Sequence, residues 1–235
     1  MKQKYRTIGI LGGMGPAATA DLYNRIINIF QQRFGARYDK DFPEIVIISL
    51  PVPDVVESIE NENLTLTMLT DAAVRLEKIG CFIIAIPCNT VHAYIGKLRG
   101  IVKIPVISIM EEVALYCKEE NLLNVGLLST EFTKNQELYD SELTKYTINL
   151  IKLNDKRQKI LTRLIMSILN GEINQSNRDI LLELINNFKN KKAEAIILGC
   201  TELPLLINQE SSDIPLIDTI QLLAEACVRE STKVI

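Results

Sequence analysis

Short apolar runs alternate along the chain with longer stretches in which apolar positions recur every three or four residues. Residues 7–11 and 45–50 read as strands, and 16–34 as the helix between them. Over 63–79 the apolar side chains Leu64, Met68, Ala72, Leu76 and Ile79 fall on one helix face. Residues 82–86 form a continuous apolar strand, followed by a short helix over 90–98, a strand over 106–108 and a helix over 111–119. The pattern then restarts. Residues 125–128 read as a strand, 161–169 and 180–188 as helices, 195–198 and 216–217 as strands, and 219–229 as a closing helix. This alternation predicts an α/β fold of parallel strands with helices on both faces.

The restart is an internal repeat that can be read residue against residue. Thr7-Ile8-Gly9-Ile10-Leu11 matches Asn124-Val125-Gly126-Leu127-Leu128. The run from Phe82 through Cys88 matches Ala195 through Cys200, and Ile104-Pro105-Val106 matches Ile214-Pro215-Leu216. Apolar strands resemble one another by chance. A cysteine at the same strand end in both halves is harder to obtain that way. The expected division is a first α/β domain over 1–117, completed by a C-terminal helix at 218–235, and a second domain over 118–217. Two pseudo-symmetric parallel sheets would face an interdomain cleft. Ligands of open α/β sheets bind outside the carboxyl ends of the strands, so Cys88 and Cys200 would lie at its mouth.

Composition narrows the function classes. The chain has 235 residues, long enough to bury a core without staples. Its net charge of −3 and lack of a basic stripe argue against nucleic acid or an anionic membrane as partner. No apolar run approaches the roughly 18 residues of a spanning helix. Lys2, Lys4 and Arg6 precede an apolar stretch, and Ala18-Thr19-Ala20 resembles a signal-peptidase site. Four glycines and a proline lie between them, so a strand and a glycine turn explain these residues better. The five cysteines, at 81, 88, 117, 200 and 227, include no Cys-x-x-Cys pair, and there is one histidine. Zinc-finger spacing is therefore absent, and a reducing, cytoplasmic compartment is expected.

Cys88 follows a buried strand and precedes a helix. Unpaired backbone N–H groups and the positive helix end favour its thiolate, and Thr90 can cap that helix. Taken alone, an inert buried cysteine is an equal reading. Cys200 has the same context, with the polar followers Thr201 and Glu202 and with Pro204 suited to a first helical turn. Two thiols at equivalent strand ends fit a two-base proton transfer, in which one thiolate removes a proton from carbon and the other thiol returns one to the opposite face. Cys117 and Cys227 fall in apolar helical patterns and Cys81 opens a strand, so all three read as core. His92 lies one helical turn after Cys88. It reads either as the partner of a Cys–His nucleophile, for which no third orienting group is apparent, or as a helix residue at the cleft edge.

The loop Gly12-Gly13-Met14-Gly15-Pro16-Ala17-Ala18 contains a short Gly-x-Gly-x-x-Ala dinucleotide fingerprint, but the acidic residue expected about 20 positions on is missing. The loop is better read as bringing backbone N–H groups to a carboxylate at a helix N-terminus. Asp54, in Pro51-Val52-Pro53-Asp54, is either a turn residue or a holder of a substrate ammonium.

These motifs together resemble the aspartate/glutamate racemase family, and among its branches aspartate racemase. The resemblance rests on Ile8-Gly-Ile-Leu-Gly-Gly-Met-Gly-Pro16, on Pro87-Cys88-Asn89-Thr90-Val91-His92, and on Leu198-Gly199-Cys200-Thr201-Glu202, over residues 7 to about 229. It implies two Rossmann-like domains, a homodimer, and racemisation of an amino acid, aspartate or glutamate, without a cofactor. It makes Cys88 and Cys200 the two acid/base residues. Asn89, Thr90 and Thr201 would bind the substrate's α-carboxylate or amino group, bordered by the Met14-Gly15 loop, with Glu202 also counted among the substrate-binding residues. Two positions depart from the aspartate racemase pattern. The arginine often found after the Pro-Asp turn is Val55, and a lysine of the helix ending near Asn170 is Leu169. A buried carboxylate without a partner is expensive, so an acidic substrate side chain would need Lys152, Arg157 or Arg163 instead. Otherwise the chain would act on a different amino acid, run a related isomerase or decarboxylase reaction, or serve as a small-acid binder or thiol redox sensor.

Overall fold

The structure is a computed structural model, and it describes residues 4–53 and 61–233. The chain forms two compact units. The first gathers residues 4–53, 61–108 and 220–233; the second is 109–219.

The first unit is built on a parallel sheet of β1 (Ile8–Gly12), β2 (Ile45–Ser49) and β3 (Ile83–Ala85), in the order β2-β1-β3. Central β1 is buried along its whole length, whereas edge strand β2 is partly exposed. The strand expected over 106–108 contributes a single bridge, Val106 beside Ile84. The Ile84 N–H donates to the Pro105 carbonyl at 2.8 Å, and the Ile107 N–H to the Ile84 carbonyl at 2.9 Å. The chain then turns into a helix at Ile109, which leaves no room for more pairing.

Helix α1 (Pro16–Phe34) has the bounds its pattern predicts. Proline opens it, where the missing N–H costs nothing, and Gly35 ends it at φ 64°. Helix α2 (Glu62–Ile79) starts where the Asn61 side chain accepts the Leu64 N–H, and Gly80 ends it at φ 100°. The segment after β3 is a 3-10 turn over Thr90–Tyr94 that leads into α3 (Ile95–Ile101), in place of one helix over 90–98.

The second unit opens with α4 (Ile109–Glu119) and carries the parallel strands β4 (Asn124–Ser129), β5 (Asn149–Lys152), β6 (Ala195–Gly199) and β7 (Leu216–Asp218). Their order is β5-β4-β6-β7. With the Val106 bridge counted as a fourth position, the first sheet has the same order, as a sequence repeat requires. Between β4 and β5 lie the short helices α5 (Glu131–Asn135) and α6 (Asp140–Thr144). Helices α7 (Asp155–Leu169) and α8 (Gln175–Lys189) bury Leu161, Leu164, Ile165, Ile168, Leu181 and Phe188 against Leu128, Ile196 and Leu198.

By contact, α4 packs on α6, so the units divide between residues 108 and 109 rather than after 117. The closing helix α9 (Thr219–Ser231) returns to the first unit from Ile220 onward. There the Arg6 N–H donates to the Ser231 carbonyl at 2.9 Å, and Arg33 of α1 donates to Glu225 at 2.6 Å. Among the described residues, no helix is long and apolar enough to cross a membrane.

Candidate active site

Buried polar side chains gather where strands end. In the first unit they include Thr19, Asn89, Thr90, His92 and Ser108; in the second, Ser129, Thr130, Thr201, Glu202 and Thr219. A sheet core normally excludes such groups unless they are hydrogen-bonded, so each set has to satisfy itself locally.

The glycine loop after β1 is tied to its own helix. Thr19 Oγ1 accepts the Gly13 N–H at 2.9 Å and donates to the Gly15 carbonyl at 2.9 Å. Gly13 has φ +97°, and a Cβ there would meet the Leu50 backbone N and O at 2.4 Å. Only glycine fits both the angle and the space. The Gly13 N–H, expected to approach a ligand carboxylate, is thus engaged by Thr19. Gly15 lies just ahead of α1, and Met14 is buried in the same apolar cluster as Cys88, Leu11 and Leu50.

Cys88 lies just past β3 and is 5% exposed. Its N–H donates to the Ile86 carbonyl at 2.8 Å. His92 Nδ1 is 2.7 Å from the Cys88 carbonyl oxygen. A carbonyl only accepts, so Nδ1 carries the proton and the ring pins the peptide that presents the thiol. This is a contact to the Cys88 backbone, distinct from a Cys–His nucleophile pair. Asn89, rather than Thr90, precedes the helical turn, with helical angles of −64° and −43°, and its side chain makes no capping bond. Asn89, Thr90 and His92 are all buried.

Cys200 directly follows β6 and is 4% exposed. Its thiol donates to Glu202 Oε2 at 3.0 Å, and Thr201 Oγ1 lies 3.2 Å from the same oxygen. Glu202 is itself 5% exposed. The helix expected after Cys200 is a single 3-10 turn over Leu203–Leu205, with Pro204 in its first positions. Thr219 donates to the Leu198 carbonyl at 2.9 Å and fastens β6 from beneath the site.

Tyr139 carries no sequence signal that would have singled it out, yet it is fully buried beside this strand end. Burial first, then the Cys117 and Cys200 thiols, push its phenol well above the usual value. Gln158 was missed for the same reason. It is a buried polar residue inside a helical pattern, and its side-chain amide donates to the Ser129 carbonyl at 2.9 Å.

All five cysteines are buried thiols. Burial pushes Cys117 up to about 12, and burial together with the Glu44 carboxylate pushes Cys81 up to about 11. Such thiols stay protonated at neutral pH and match the core reading of both. Asp54 and Val55 lie outside the described residues. Leu169 is 40% exposed at the end of α7. Of the cations considered as substitutes, Lys152 is paired with Asp140 at 2.7 Å, and Arg163 Nε donates to the Lys159 carbonyl at 3.3 Å.

The whole chain has relatives. Over 221 residues it is 31% identical to the broad specificity amino-acid racemase RacX of Bacillus subtilis strain 168, covering 94% of this chain and 96% of that protein. The aspartate racemase of Picrophilus torridus superposes with a TM-score of 0.85 at 28% identity, over 98% of this chain and 96% of that one. An aspartate racemase homologue from Pyrococcus horikoshii OT3 superposes with a TM-score of 0.83 at 28% identity, over 97% and 100% of the two chains. The family model for Asp/Glu/Hydantoin racemase matches residues 11–227. From the glycine loop to α9, the chain belongs to the Asp/Glu/hydantoin racemase family and is an enzyme of the racemase class.

Proposed function

We propose that the chain inverts the α-carbon of a free amino acid by two-base catalysis, without a cofactor, with Cys88 and Cys200 as the two acid/base residues. One thiolate takes the α-proton, the C–H electron pair is held on the substrate as an enolate-like carbanion, and the other thiol returns a proton to the opposite face. The observation that carries this reading is a pair of thiols at equivalent strand ends of two like-ordered sheets, each within a buried set of polar groups. Asn89, Thr90 and Thr201 supply donors and acceptors of the kind an α-carboxylate and α-ammonium need, bordered by Met14 and Gly15. Asp54 remains the candidate for the ammonium. A homodimer, as the family resemblance implies, is part of the same proposal.

Aspartate or glutamate is the first substrate reading, and the likeness to the Picrophilus torridus aspartate racemase supports it. A second reading has support of its own. Leu169 is apolar and Lys152 is already ion-paired, which leaves fewer cations for a second carboxylate, and RacX is a broad specificity enzyme. The deciding experiment is proton NMR in deuterated buffer with L- and D-aspartate, glutamate, asparagine and alanine in turn. Loss of the Cα–H signal for the dicarboxylates supports the first reading, and loss for the neutral amino acids alone supports the second. No exchange with any amino acid overturns the proposal.

A further inference from the structure

Each cysteine is held by a polar neighbour within the next four residues. Cys88 is bound through its peptide: His92 holds the Cys88 carbonyl. Cys200 is bound through its sulfur, which donates to Glu202 Oε2 at 3.0 Å. The same oxygen lies 3.2 Å from the Thr201 hydroxyl. One oxygen thus accepts from both the thiol and the hydroxyl, as an acceptor-only carboxylate can. Glu202 and Cys200 are about equally buried, at 5% and 4%, so little water screens the charge. Of the other titratable groups here, Tyr139 lies against Cys117 and Cys200, and both Tyr139 and Cys117 are neutral at pH 7. Within this set the negative charge at the sulfur is that of Glu202.

We infer that Glu202 is a positioning residue that holds Cys200 as the protonated thiol and aims its proton, so that Cys200 is the resting acid of the pair. A thiolate at Cys200 would stand 3.0 Å from a carboxylate, and like charges at that range disfavour the ionised form. The assignment of acid and base rests on the two-thiol reaction proposed above. On that reading Cys88 takes the α-proton and Cys200 gives its own to the opposite face. The resulting Cys200 thiolate faces the Glu202 carboxylate, which disfavours it. Glu202 therefore acts on the sulfur rather than on the substrate, although its place in the Cys200-Thr201-Glu202 motif suggested a substrate ligand.

The test is a 13C NMR titration of protein labelled at cysteine Cβ, with the Cys200 signal identified by its loss in Cys200→Ser. In the unmutated protein the Cys200 midpoint should lie above the ordinary thiol value of about 8.5. In Glu202→Gln it should fall by at least about one unit, so that the thiolate fraction at pH 8 rises about tenfold. Glu202→Asp, which keeps the charge, should hold the midpoint high. A purely structural role would alter stability and leave the midpoint in place. An unmutated midpoint at or below 8.5, or a Glu202→Gln curve that superposes on it, overturns the inference. If Glu202→Gln does not fold, the unmutated and Glu202→Asp midpoints decide. Exchange of the substrate Cα proton is read separately. Exchange without the midpoint shift overturns the Glu202 role alone, and the shift without exchange overturns the racemase reading alone.

Discussion

Replacing Thr19 with valine keeps the side chain's shape and removes one oxygen. That oxygen accepts the Gly13 N–H at 2.9 Å and donates to the Gly15 carbonyl at 2.9 Å, at a side chain only 5% exposed. Each bond contributes about 1 kcal/mol net, and the orphaned N–H adds a desolvation cost, so the loss should be about 2–3 kcal/mol. With a urea m-value of about 2 kcal/mol/M, the midpoint should fall by about 1 M at unchanged slope, followed by circular dichroism. Thr67→Val is the control. The Thr67 hydroxyl donates to the Asn63 carbonyl at 2.8 Å on an exposed face, and its loss should stay within about 0.5 kcal/mol. A Thr19→Val midpoint as close to the parent as that of Thr67→Val would refute the idea that this hydroxyl sets the loop.

Gly13→Ala should be worse than Thr19→Val, because it combines φ +97° with a backbone clash at 2.4 Å, and soluble yield together with the urea midpoint would show it. His92→Leu removes the bond to the Cys88 carbonyl and should lower kcat/KM by about 10- to 100-fold with the circular dichroism spectrum kept; an unchanged rate would deny His92 a positioning role. The Cys117 thiol holds its proton up to about 12 in the folded chain, well above the ordinary thiol value, so its stabilisation is complete below about pH 8.5 and is lost as pH rises toward about 12. The slope is at most about 1.4 kcal/mol per pH unit, and Cys117→Ala should flatten the alkaline limb of a urea-midpoint series.

What could be read from the sequence follows from burial. Helix α1 matches its pattern because proline, apolar periodicity and Gly35 agree. The repeat was legible because β1, β3, β4 and β6 are buried strands with continuous apolar runs. Strand β5 was not, because it lies on an edge and its side chains are partly exposed. Helix α7 begins at Asp155, ahead of its apolar stripe, since the Asn154 cap starts it with polar residues outward. Both thiols and their polar followers stood out as motifs. The contacts that distinguish them did not, because His92 binding a carbonyl and Glu202 binding a sulfur are matters of rotamer and local turn. Tyr139 and Gln158 lay hidden in unremarkable stretches, and only burial shows them.

The central claim is that inversion needs both thiols. Chiral chromatography of the amino acid that exchanges its α-proton, incubated with the parent chain, Cys88→Ala and Cys200→Ala, tests it most directly. The account predicts a racemic mixture from either enantiomer with the parent. Each single variant should lose inversion by at least about 1000-fold while keeping its fold, since no second base remains to serve the opposite face. Conversion of either enantiomer at the parent rate by either variant would contradict it.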